Sequence, residues 1–142
     1  MPGIVVTTDL SPESRIAFAP VRQLAARLQV PVTLLSVLEE MPLEPAISGL
    51  MPVYPDRAQL RRDWEAKLVE FARDFHGVET RTSVIEALSV AQAICDFAQR
   101  EHADYLAIAS HGRSGLKRLL LGSVAEAVLR HSRVPVIVYP PK

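Results

Sequence analysis

The chain has 142 residues with 16 basic and 16 acidic side chains in balance, a length that suits one domain burying a full core without metal or disulfide. Balanced charge excludes a global field that would recruit nucleic acid or an anionic membrane. With one cysteine, no apolar stretch near the roughly 18 to 20 residues of a membrane helix, and a start that runs straight into a strand-like segment, a soluble cytoplasmic protein is expected.

In chain order, Ile4 to Thr8 is a β-branched run and reads as a strand. Asp9-Leu10-Ser11-Pro12 ends it and opens a helix, with Ser11 as N-cap and Pro12 in the first position. That helix continues to about Leu28, with Ile16, Ala17, Val21, Leu24, Ala25 and Leu28 at helical spacing. Val32 to Leu38 is too short for a helix and apolar enough for a buried strand. From Glu39 to Pro55 four prolines break every period, and a connection of that length fits either a lid or a plain connector. Asp56 to Phe75 is a charged amphipathic helix with Leu60, Trp64, Leu68, Phe71 and Phe75 near one face, read as core, and Gly77 ends it.

Val78 to Val84 alternates apolar with polar residues, as an edge strand with one wet face would. Ser89 caps the next helix, which runs to about Arg100 and carries Val90, Ala91, Ile94, Cys95 and Ala98 on its apolar face. Cys95 therefore reads as a buried, inert thiol. Tyr105 to Ala109 is the fourth strand, a helix spans Ser123 to about His131, and Pro135 to Tyr139 is the fifth strand. Strands alternating with helices imply right-handed βαβ units, so a parallel sheet covered on both faces.

The most informative segment lies after the fourth strand. His111-Gly112-Arg113-Ser114-Gly115 is followed by Gly122-Ser123-Val124, with nine residues between Gly112 and Gly122. Glycines let backbone N–H groups close on an anion, and a helix start adds its positive dipole end. Ser123 can serve as the N-cap, as a phosphate donor, or both. If the first and fourth strands flank the point where strand order reverses, this segment converges with the loop Thr7-Thr8-Asp9-Leu10-Ser11. Asp9 then accepts hydrogen bonds from a base or ribose, and Gly112, Gly122 and Ser123 donate to phosphates.

These segments, together with the closing Val134-Pro135-Val136-Ile137-Val138, resemble the universal stress protein family over essentially the whole chain. The resemblance implies an α/β fold in one domain, residues 1–142: a five-stranded parallel open sheet of order 3-2-1-4-5 with helices on both faces, Rossmann-like. It implies an adenine nucleotide, ATP, ADP or AMP with Mg, in the crevice between strands 1 and 4. Asp9 and Val37 would meet the adenine end, Ile108 and Ala109 would lie against the nucleoside, and Thr8 would also belong to the binding site. His111, Gly112, Gly122, Ser123 and Val124 would hold ribose and phosphates, with Arg113 open to either a phosphate or a solvated role. The resemblance also implies a homodimer through Pro135 to Tyr139.

Two positions depart from the family pattern. Ala109 stands where its first glycine would be, and Ala87 where a glycine often follows the third strand. A positive φ at 109 would cost alanine about 1 kcal/mol, whereas a negative φ makes its methyl nearly free. No Gly-x-x-x-x-Gly-Lys-Ser/Thr is present, and His111 to Ser123 contains no carboxylate, so chemistry beyond slow hydrolysis or self-phosphorylation is not expected. His76, His102 and His131 show no metal-ligand spacing. Three functions remain in view: a dimeric nucleotide-binding stress-response module, a dimeric interaction module with a vestigial glycine loop, and a slow ATPase.

Overall fold

The computed structural model describes residues 2–40, 56–110 and 121–141. Five strands, β1 (Ile4–Thr7), β2 (Val32–Glu39), β3 (Thr80–Ala87), β4 (Tyr105–Ala109) and β5 (Val136–Tyr139), form one sheet of order β3-β2-β1-β4-β5. Every pairing is parallel, with Ile4 opposite both Val32 and Tyr105. The helices are α1 (Phe18–Leu28), α2 (Arg57–Ala72), α3 (Val90–Arg100) and α4 (Ser123–His131).

Alternation along the strands builds two cores. Ile4 and Val6 of β1 face α1 and α2, in a cluster with Phe18, Val21, Leu68, Phe71 and Phe75. Phe18 anchors it, with ring centroids 4.9 Å from Phe75 and 6.2 Å from Phe71. Val5 faces the other way, toward Ile94, Cys95 and Ala98 of α3 and Ala125 and Val128 of α4. Burying each of the larger side chains contributes about 1.5 to 3 kcal/mol. The central strand is therefore buried on both faces, as its unbroken β-branched run requires.

Local chemistry sets the ends of the elements. Ser11 caps through its side chain, which accepts from the Ser14 amide at 3.3 Å, but the segment it opens, Pro12–Ala17, is a 3-10 helix, and α1 begins only at Phe18. Asp56 caps α2 by accepting from Ala58 and Gln59, and Ser89 caps α3 by accepting from Gln92. Gly77 has a φ of +83°, the left-handed backbone that a helix-ending glycine supplies.

Further differences from the sequence expectation lie at the third strand and the last helix. The third strand is Thr80–Ala87 and so runs past Val84, because it pairs with β2 along its whole length, up to Glu39 with Ala87. Its late charge, Glu86, is held from above by Arg57 at 3.1 Å and Arg61 at 3.0 Å of α2, so it does not end the strand. The cap of α4 is Gly122, and Ser123 is the first helical residue.

Candidate functional site

The order of the sheet places β1 beside β4, and the two strands send their connections to opposite faces. A crevice opens above their carboxyl ends, which is where open parallel sheets bind ligands. Here it is a cavity of about 650 Å³. Thr8, Asp9, Val37, Ile108, Ala109, Gly122, Ser123 and Val124 all line it, so every expected site residue in the described segments converges on one space. His111, Gly112 and Arg113, like the 41–55 connection, lie outside the described residues.

The turn after β1 forms the first wall. Hydrogen count fixes the direction of a chain of bonds there: the Leu10 amide donates to Thr8 Oγ1 at 2.9 Å, that hydroxyl donates to Ser14 Oγ at 2.6 Å, and Ser14 Oγ donates to the Ser11 carbonyl at 2.7 Å. The chain holds Leu10 at a φ of +63°, a left-handed conformation that disfavours a leucine. Asp9 is oriented by its neighbour: Oδ1 accepts from the Ser11 amide at 2.9 Å and from the Ser11 hydroxyl. The carboxylate at the crevice thus has a set direction.

The second wall is the end of β4 and the start of α4. Ala109 pairs with Tyr139 inside the sheet, and among the described residues only Leu10, Gln29 and His102 are non-glycine residues with positive φ. Alanine at 109 therefore carries no backbone strain. The Gly122 amide donates to the Ser110 carbonyl at 2.7 Å, which ties the start of α4 to the end of β4 and engages that amide within the protein. Gly122 has no side chain to cap with, and its carbonyl accepts from Glu126. The amides of Ser123, Val124 and Ala125 precede the first hydrogen bond within the helix, so the N-terminus of α4 aims donors and a positive dipole end at the cavity.

Sequence reading missed several residues of the site. Ser110 lines the cavity, is 5% exposed, and its hydroxyl has no hydrogen-bond partner among the described residues. An unpaired buried hydroxyl costs about 1 to 3 kcal/mol, which a ligand accepting or donating there would relieve. On the β2 side, Trp64 Nε1 donates to Ser36 Oγ at 2.8 Å, and Ser36 Oγ donates to the Thr8 carbonyl at 2.7 Å. Trp64 and Leu60 of α2 line the cavity, and Arg57 stands with them while paired to Glu86. The signal for Ser36 was available, since a lone serine inside Val32–Glu39 needs a partner when buried. Trp64 sits at core spacing on its helix, and nothing local distinguishes a core tryptophan from one at a cavity.

The family model for the universal stress protein family matches residues 2–140. The chain belongs to the universal stress protein family. Among curated relatives, universal stress protein MJ0577 of Methanocaldococcus jannaschii is 26% identical over 149 residues, covering 95% of this chain and 92% of that protein. Universal stress protein MJ0531 of the same organism is 40% identical over 62 residues, which is 44% of this chain and 36% of that protein. The fold is shared with solved members of the family. The universal stress protein from Archaeoglobus fulgidus in complex with dAMP has a TM-score of 0.65 at 21% identity, covering 97% of this chain and 96% of that one. A universal stress protein in complex with cAMP has a TM-score of 0.68 at 20% identity, with 99% and 98% covered.

Proposed function

We propose that the chain is an adenine-nucleotide-binding member of the family, a regulatory module that takes ATP, ADP or AMP in the β1/β4 crevice. The observation that carries this reading is the pairing of opposite chemistries across one cavity. Asp9 supplies an oriented acceptor for a base or ribose, and the amides of Ser123 and Val124 supply donors for phosphate. Val37, Ile108 and Ala109 line the apolar stretch between them, as a nucleoside needs. The buried Ser110 hydroxyl, which has no hydrogen-bond partner among the described residues, fits a ligand that completes its bonding. Two family members of the same fold were solved with adenine nucleotides, which supports the choice of base.

Where Mg accompanies the nucleotide, it would neutralise phosphate charge, because the sequence from 111 to 123 offers basic residues and no carboxylate to hold a metal. The same composition argues for holding a nucleotide over turning it over quickly. Heat release of small molecules from the purified protein, followed by mass analysis, tests the reading. An adenine nucleotide in near-stoichiometric amount is expected, and its absence from protein that also fails to take up added ATP would overturn it.

We also propose a homodimer through β5. The strand is the last in the sheet, so its outer edge has no strand partner among the described residues. An open edge favours pairing with a second copy.

A further inference from the structure

We infer that Trp64 and Ser36 are positioning residues for recognition of the base, acting through the turn that carries Asp9; this rests on the adenine-nucleotide reading. Trp64 belongs to α2, and Asp9 to the turn after β1, two elements far apart in sequence. The link between them is a directed chain of hydrogen bonds. Trp64 Nε1 donates to Ser36 Oγ at 2.8 Å, and Ser36 Oγ donates to the Thr8 carbonyl at 2.7 Å, one residue before Asp9. Ser36 is 1% exposed, so the chain is shielded from water that would otherwise replace either bond. The Thr8 amide donates to the Leu35 carbonyl at 2.9 Å, so the peptide groups on both sides of Thr8 are held from β2.

What the chain holds is a turn under strain. Leu10 stays left-handed only because its surroundings over-determine it. Loosening Thr8 lets the turn relax and the Asp9 carboxylate swing. That matters for discrimination between purines. A fixed carboxylate accepts from the amino group of adenine and faces the carbonyl oxygen of hypoxanthine, which is an acceptor and is repelled. A carboxylate free to rotate loses that difference. Trp64 also lines the cavity itself, with Leu38 and Leu60, so the same side chain bounds the ligand space and braces the turn.

Calorimetric titration of the full chain with AMP and with inosine monophosphate tests the assignment. Ser36→Ala and Trp64→Phe each remove one link. Each is expected to cut the preference for AMP over inosine monophosphate by about tenfold, the loss of roughly one buried hydrogen bond. The double variant is expected to be no worse than either single one, because both break the same chain. Ser36→Thr keeps the hydroxyl and is expected to restore the preference. A purely structural role would weaken both nucleotides equally, and an unchanged preference in variants that still bind AMP overturns the inference while leaving the nucleotide reading intact. Wild-type protein that binds neither nucleotide overturns the nucleotide reading itself. Should the Ala and Phe variants fail to fold, Ser36→Thr and Ser36→Cys decide, because threonine keeps the hydroxyl donor and a thiol donates weakly. A preference for AMP kept by threonine and lost by cysteine supports the inference, and an equal preference in both overturns it.

Discussion

Ala109 shows how a single residue can read differently in sequence and in space. Against the glycine pattern it looked like a defect, yet it lies in β4 with ordinary extended backbone. Ala109→Gly is therefore expected to leave the Kd for AMP within about twofold and to lower stability by about 0.5 to 1 kcal/mol, read by calorimetry and by thermal unfolding. Gly3 is the opposite case: a methyl group there would lie 2.2 Å from the Pro31 carbonyl oxygen. Cys95 was legible as an inert thiol, and burial pushes its pKa up, with the charge of Asp96 adding to the effect. The unfolded chain then ionises first as pH rises. The stability that Cys95 contributes is present below the ordinary thiol range and is lost as pH climbs through the raised value. Denaturation midpoints measured from about pH 7 to 10 are expected to fall more steeply for wild type than for Cys95→Ala.

Elements were most legible where caps and periodicity agreed. Ser89 before α3 caps as expected, and β4 has the expected bounds. Legibility failed where a distant element supplied the partner. Glu86 continues β3 because α2 pairs with it, and Ser36 is tolerated in β2 because Trp64 reaches it. The start of α4 combines both situations: Gly122 was legible as part of the pattern, but the bond from its amide to the Ser110 carbonyl depends on where the end of β4 lies in space. Because Ser123 is the exposed first residue of α4, Ser123→Glu places a carboxylate at the positive end of the helix. It is expected to leave the melting temperature unchanged or slightly raised while weakening AMP by at least about tenfold through repulsion of phosphate. Parallel calorimetry and thermal unfolding separate the two effects. The end of α1 offers a stabilising change: Gln29 holds a φ of +56°, and Gln29→Gly is expected to raise stability by up to about 1 kcal/mol in thermal unfolding.

For the whole molecule, strand order and the helix-sheet-helix layering followed from alternation of strands and helices together with the family resemblance. The crevice is a property of the sheet, since it exists only where β1 and β4 diverge in their connections. The same topology leaves β5 at an edge. The Pro135 and Tyr139 carbonyls accept from Leu106 and Ser110, so by strand alternation the backbone groups of Val136 and Val138 point away from β4. Val138→Pro removes an edge donor and spares the ladder to β4. It is expected to shift the protein from dimer to monomer in sedimentation velocity, with nucleotide binding retained.

The β1/β4 crevice is proposed as the adenine-nucleotide site, and the regulatory role stands on it. The most direct test is calorimetric titration of nucleotide-stripped protein with AMP. Saturable binding that Ser123→Glu suppresses is the predicted result, and an absence of heat from folded wild-type protein, confirmed at a second temperature, would contradict it.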